Sequence, residues 1–441
     1  MSCIAPICRA KKRYPDTVRI PPCPPTNLIQ FQTEEPVNLK TELQFSRREL
    51  LALAVSASIT GVSAQSNTSA WAQVEASARG QKVFFNAWGG SERTNAYLQW
   101  VATEVEKRYG VKMEHVKLTD TVEAVKRVRN EKAAGRLSDG NIDMMWINGE
   151  NFLSMKREGL LFGPFSEKLP SYAFVDVVGK PTTRIDFSEP VDGMEAPWGM
   201  AQLTFYADRQ RVPNPPRSVV AWLAFAKANP GRVTYPRPPN FHGTTFLKQA
   251  LIELSPDRSL LYKPYTAENL AKMAPPLWAW LDALHPSLWR SGKQFPQNSA
   301  AVRQMMVDGE LMTGLTFNPN EAANEIAAKR MPDTVYSWQN SGGSIGNTHF
   351  LAVPFNAKAK EGAQVAINFM LSPEAQARKA DITVWGDSTV LDLAKLPPSE
   401  RERFGSKPFP GQVETVMATI AEPHGSWVDP LEQEWLRRYG Q

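Results

Sequence analysis

The chain has 441 residues, with 50 Lys and Arg against 45 Asp and Glu, a formal net charge of +5 and three cysteines. Mixed signs without a run of five or six like charges give no concentrated basic face, which argues against a nucleic-acid partner. The length is enough for two domains and a large buried core.

Residues 1–45 are proline-rich, with scattered charge and no helical or strand period. Such a stretch buries too little apolar surface to offset its ordering entropy, so it reads as a disordered leader or a start codon assigned too early. Next comes SRRELLALAVSASITGVSA at 46–64. Its apolar core is shorter than the roughly 20 residues of a spanning helix. Arg47-Arg48, the modest apolar run and Val62-Ser63-Ala64 predict an export signal of the twin-arginine type, with cleavage after Ala64. A buried amphipathic helix is the plainer reading of the same residues. Cys3, Cys8 and Cys23 all precede the cut, so the exported part, 377 residues of net charge about +2, has no thiol, disulfide or cysteine metal site. All 13 tryptophans remain in it, a residue type suited both to cores and to stacking on a cationic or aromatic ligand.

After the signal, β-type runs alternate with helical patterns. KVFFNAW (82–88) predicts a strand, and a helix from about Thr94 to Tyr109 carries Leu98, Val101 and Val105 on one stripe. VKMEHVKL (111–118) is a second strand, followed by a helix capped at Thr119 or Asp120. NIDMMWI (141–147) is a third strand, with a helix through Met155. This order predicts a parallel sheet covered by helices, with ligands beyond the carboxyl ends of its strands. A Pro/Gly-punctuated connection then leads to a strand at 200–208. A second series follows: helix 218–229, strand 232–236, helix 243–254, helix 297–308 and strand 311–318. A strand at 348–355 and a helix at 360–371 complete the pattern. Two α/β lobes joined by crossing segments near 200 and 345 explain this order.

The stretches VFFNAWGG, DMMWINGEN, APWGMAQLTFYADR, VTYPRPPNFHGTTF, LTFNPNEA, IGNTHFLAVPFNAKA, NFMLSPEAQARKAD and EPHGSWVDPLEQEWLRRYG resemble the periplasmic solute-binding subunits of ABC importers, in particular enterobacterial ones of the thiamine type. The likeness runs from about Trp71 to the C-terminus; LSPEAQ at 371–376 specifies the class rather than the ligand. It implies a type II periplasmic binding protein fold: α/β, two lobes, mixed sheets flanked by helices, hinge crossovers near 200 and 345. The expected layout is lobe 1 over 65–200, lobe 2 over 201–344, and a return to lobe 1 with C-terminal helices over 345–441. The implied function is capture of a small solute by lobe closure and delivery to an inner-membrane ABC permease, by a periplasmic monomer without a cofactor. Thiamine, a related organic cation or a phosphate is the implied solute.

On that frame the first lobe offers Trp88, Gly89, Gly90, Trp146, Asn148 and Glu150 to the cleft, with Trp198 at the crossover. Glycines permit close backbone approach, while Trp and Glu suit an organic cation. An ordinary turn at 89–90 and a core role for Trp146 fit the sequence equally. The second lobe offers Tyr235, Arg237 and a helix opening near Gly243-Thr244-Thr245, a cradle for phosphate or carboxylate. A rigid turn with a solvated arginine is the alternative. Asn318, Asn347, Trp385 and Asp387 complete the set. The five histidines show no metal-ligand spacing. Two other functions compete. One is an esterase-like hydrolase with Ser344 in Gly342-Gly343-Ser344-Ile345-Gly346 and Asp387 and His424 as partners, disfavoured because a strand pattern follows Gly346. The other is a ligand sensor that signals instead of transporting.

Overall fold

The computed structural model describes residues 70–405 and 408–440, so the leader, the signal and the three cysteines lie outside the described residues. The described residues all belong to one compact unit. Helix α1 (70–78) leads to β1 (Lys82–Trp88), α2 (Glu92–Tyr109), β2 (Lys112–Leu118), α3 (Val122–Ala133), β3 (Met144–Ile147) and α4 (Gly149–Arg157). The Ser91 hydroxyl caps α2 by accepting from Thr94 N, and Gly110, at φ 67°, closes it. Between them Tyr97, Leu98, Val101 and Val105 bury one face. β1 pairs in parallel with β2 from Lys82↔Lys112 to Trp88↔Leu118, and with β3 on its other side. The short strands β4 (Ile185–Asp186) and β5 (Glu189–Pro190) form a hairpin before β6 (Glu195–Gln202).

After Leu203 the chain enters a second lobe: β7 (Thr204–Asp208), α5 (Val219–Ala228), α6 (Phe241–Leu254), α7 (Ala267–Met273), α8 (Pro275–Leu284), α9 (Ser299–Val307), β8 (Thr313–Thr316), α10 (Glu321–Ala327) and β9 (Val335–Trp338). Its sheet is antiparallel, ordered β8-β7-β9. Phe205, Trp222, Phe246, Trp280 and Trp338 are buried in its core. The expected strand at 232–236 forms no ladder. Pro236, Pro238 and Pro239 lack the N–H groups a ladder needs. The segment instead accepts from Trp289 N and Met312 N and donates from Arg237 N to Pro296 O.

The chain returns through β10 (Ser344–Ala352), α11 (Lys360–Met370), α12 (Pro373–Ala380) and α13 (Pro398–Arg401), and crosses again through β11 (Thr419–Ile420) to α14 (Val428–Tyr439). β10 completes the lobe 1 sheet, antiparallel to both β3 and β6, in the order β11-β10-β3-β1-β2. The helical C-terminus divides between the lobes. α11 lies on the lobe 1 core, while Trp427, Leu431 and Trp435 are buried in the lobe 2 core. Three segments therefore cross between lobes: 202–204, 339–345 and 408–428.

Candidate functional site

The lobes meet along two polar contacts. On one side the start of α10 grips the loop before Asp387. Asn320 Nδ2 donates to Gly386 O (2.6 Å), Asn324 Nδ2 to Ile382 O (2.5 Å), and Asn318 Nδ2 to Trp385 O (3.4 Å). Arg93, in the first turn of α2, completes this latch. Its Nη1 donates to Thr383 O (2.8 Å) and its Nη2 crosses to Asn324 O (2.7 Å).

The second contact is charged and buried. Lys248 on α6 places its Nζ 2.7 Å from Glu422 Oε2 in the third crossing segment, with both side chains almost fully buried. The ammonium also lies 4.3 Å from the Phe187 ring centre and 5.7 Å from that of Phe241. Asn347 Nδ2 donates to Glu422 Oε1 (3.2 Å), while its own Oδ1 is buried without a partner. From lobe 1, Asp186 accepts from Gly149 N, the first N–H of α4 (2.5 Å), and its Oδ1 is unpartnered. Gly149 is required twice over: its φ is +62°, and a Cβ would lie 2.7 Å from the Phe187 ring. Phe187 and Ser188 form the hairpin tip with φ of 41° and 65°, and the third crossing segment holds it through Gly425 N to Phe187 O and Ser188 Oγ to Glu422 O.

Burial governs the charges here. Glu150, at the start of α4, is pushed up to about 7 by desolvation, opposed by Lys248. Glu432 on α14 is pushed up to about 8 by desolvation, although Thr244 Oγ1 donates to it (2.6 Å). Desolvation also raises Asp186, Glu422 and, behind Asp186, Glu195. Glu422 thus pairs with the one ammonium, whose charge also acts on Glu150, Asp186 and Glu432. Among the described residues no group of three or more His, Cys, Asp or Glu is arranged to hold a metal ion.

Four of the sequence candidates meet elsewhere, inside lobe 1. Trp146, Trp198 and Trp385 pack around His349, with ring centres 4.9 Å apart for Trp146–His349 and 5.3 Å for Trp198–Trp385. His349 Nε2 lies 3.1 Å from Asp387 Oδ1, and Lys379 Nζ donates to Asp387 Oδ2 (2.5 Å). Burial alone would raise Asp387; Lys379 and His349 hold it below the ordinary carboxylate value. Trp198 is fully buried and Asp387 is 1% exposed. Their geometry is that of a core box that aligns β6, β10 and α12.

The other candidates are spread between these places. Trp88 is 37% exposed and its ring lies across Gly90, where a Cβ would collide with it. Gly89 N and O are bonded to Leu118 O and Asn95 Nδ2. Asn148 precedes α4 without capping it through its side chain. α6 opens at Phe241 on an Asn240 cap, earlier than expected, so Gly243, Thr244 and Thr245 lie within the helix. Gly243 packs on Pro236 O, and Thr245 Oγ1 is buried without a partner. Tyr235 is inside lobe 2, its hydroxyl 2.7 Å from His285 Nε2 and accepting from Trp435 Nε1. Arg237 is exposed and donates to Gly440 O (2.7 Å) at the end of α14.

Lys248, Asp186, Phe187, Glu422 and Glu432 were not among the sequence candidates. The signal that would have found Lys248 is a lone charge inside GTTFLKQALI, a stretch buried throughout. Ser344 begins β10 instead of standing at a strand-to-helix elbow; its Oγ accepts from Asn340 N, while Asp387 is bound to His349 and Lys379, and His424 Nδ1 lies 2.8 Å from Ser426 Oγ.

Two lobes of mixed α/β structure, joined by three crossing segments and meeting at a polar contact, are the architecture of a solute-binding protein instead of an enzyme. Residues 100–399 match the family described as bacterial extracellular solute-binding protein, and the chain belongs to that family. It is 48% identical to Protein YnjB of Escherichia coli (strain K12) over 374 residues, 85% of this chain and 95% of that one. Among solved structures it is similar to the periplasmic binding protein AfuA of Actinobacillus pleuropneumoniae, with fructose-6-phosphate bound, at TM-score 0.57 and 13% identity, covering 82% of this chain and 99% of that one. It is also similar to a putative spermidine/putrescine ABC transporter protein of Listeria monocytogenes, at TM-score 0.54 and 18% identity, covering 80% and 98%. The fold is the type II periplasmic binding protein fold, and the protein is a bacterial extracellular solute-binding protein.

Proposed function

We propose that this protein captures a small organic cation, thiamine or a related amine, between its lobes and delivers it as a monomer to an inner-membrane ABC permease. One observation carries the charge of the solute: four buried or partly buried carboxyls, Glu150, Asp186, Glu422 and Glu432, share the charge of one ammonium, Lys248, which is paired with Glu422. A phosphate or carboxylate guest would bring negative charge against carboxyls that burial already resists ionising, at low effective dielectric. An amine would supply the missing counter-charge, with Phe187 and Phe241 as ring faces for it. Asn347 Oδ1 and Thr245 Oγ1 remain for its N–H groups.

Binding on both faces stabilises only the closed form, so the solute shifts the lobe equilibrium. A thermal-shift screen of the exported chain tests the reading. Thiamine or aliphatic amines at 100 times their dissociation constant add about 2.7 kcal/mol and raise the midpoint. A rise with thiamine phosphates or other anions, and none with any cation, would reverse the charge assignment. Export by the twin-arginine route belongs to the same reading; replacing Arg47 and Arg48 by Lys is expected to keep the protein out of the periplasmic fraction.

A further inference from the structure

The charged cluster is unequal, and the odd member is the lysine. Lys248 belongs to α6, where every residue from Gly243 to Ile252 is buried. The next residue, Gln249, ties that turn to the hinge: its Oε1 accepts from Ile345 N (2.8 Å) and its Nε2 donates to Gly343 O (3.1 Å). The ammonium is therefore a fixed part of the wall, not a surface charge that swings in. It is held between Glu422 at 2.7 Å and the Phe187 ring at 4.3 Å. Among the described residues no cation is ion-paired with Glu150, Asp186 or Glu432, and the charge acting on them is that of Lys248. Beside them, Asn347 Oδ1 and Asp186 Oδ1 are buried acceptors without donors, on residues 3% and 1% exposed. Acceptors left open next to uncompensated carboxylates call for a guest that brings both N–H groups and positive charge.

The geometry points to Lys248 as the residue that sets how many positive charges the solute carries: a resident cation that cancels one carboxylate and leaves the others to the guest. This rests on the cation reading of the cleft. Removing the resident charge frees Glu422 for the guest, so the site then favours a ligand with one more ammonium. Removing Glu422 instead has the opposite effect, since Lys248 must then be balanced by a carboxylate otherwise available to the solute. Unit charges about 5 Å apart at an effective dielectric near 20 interact strongly enough to change affinity by about tenfold or more.

The test uses two probes with the same four-carbon chain, butylammonium and butane-1,4-diammonium, titrated calorimetrically into the exported chain. The ratio of their affinities in the wild type is the reference. Lys248→Met is expected to raise the preference for the diammonium by about tenfold or more, and Glu422→Gln to lower it. The double variant is expected to return near the wild-type ratio. If Lys248→Met does not fold, Glu422→Gln alone decides. Ratios unchanged in the folded single variants, even with both affinities weakened equally, would reduce Lys248 to a packing role and overturn the inference. A wild type that binds neither amine nor thiamine would overturn the cation reading itself, a different failure.

Discussion

Replacing Asn320 and Asn324 together by alanine removes two inter-lobe amide bonds, to Gly386 O and Ile382 O. An intramolecular hydrogen bond contributes about 1 kcal/mol net, and a buried carbonyl left without a donor costs a further 1–3 kcal/mol. Ile382 O keeps a long contact from Arg93 Nη1 (3.3 Å), so its loss is only partial. The closed form should lose roughly 2–4 kcal/mol relative to the open form, where water hydrates these groups. At 1.4 kcal/mol per decade, that is about 30- to 1000-fold in the lobe equilibrium. Small-angle scattering of the ligand-free double variant is expected to show a larger radius of gyration than the wild type. Solute affinity should fall by the loss in closed fraction, because only that fraction binds on both faces. Neither side chain touches the charged cluster, so a thermal-shift response to the same solutes should persist at higher concentration. Scattering profiles superimposable on wild type, with unchanged affinity, would refute the latch.

The ligand-free protein is expected to lose stability as pH rises from about 5 to 8. Glu150 is raised from 4.5 to about 7 and Glu432 to about 8. Below the unfolded value both are protonated in either state; above it the unfolded chain releases protons that the folded chain retains. Glu150 alone contributes on the order of 3 kcal/mol across this window, and Glu150→Gln should flatten the pH dependence of the urea midpoint. Lys379→Met strands the Asp387 carboxylate in the core and should cost about 3–5 kcal/mol in urea unfolding, leaving His349 as its remaining partner. Gly199→Ala places a Cβ on Asp387 Oδ2 and against the His349 ring, and should cost about 1–3 kcal/mol by the same assay.

Elements with a strong period and a chemical stop were legible. β1 spans the predicted 82–88, and α2 and α11 differ from expectation by a residue or two at their ends. The strand expected at 232–236 was not, because its β-type residues run into prolines that the local pattern underweights. Glu150, Thr244 and Asn347 were chosen from sequence and lie in the charged cluster; Asp186 and Glu422 beside them come from connections with no period to read. The tryptophans show the limit most clearly. MMWI is apolar on both faces, and only its register with β10, Trp146↔Leu351, decides which face Trp146 takes. That register is a long-range fact, absent from any window of sequence.

Three polar constructions hold the lobes together, and they differ in how well they are balanced. At the hinge, Gln339 Nε2 donates to Gln202 Oε1 (2.9 Å), Gln202 Nε2 to Ser344 O (3.2 Å) and Met417 N to Gln339 Oε1 (2.8 Å), so all three crossing segments share satisfied bonds. In the asparagine latch the three Nδ2 groups are likewise bonded. The charged cluster differs in its charge. Glu150 faces Lys248, Asp120 and Glu422, and Glu432 faces Glu150, Asp429 and Lys248, a set with more carboxylates than cations. Closed without a guest, the cluster must retain protons on Glu150 and Glu432 near neutral pH. A bound cation takes the place of those protons, so its uptake releases them. Affinity for an amine that stays charged should therefore increase from pH 6 to pH 8. Calorimetry in buffers of different ionisation enthalpy would measure the released protons directly, and zero release at pH 6 would mean that the solute does not enter this cluster as a cation.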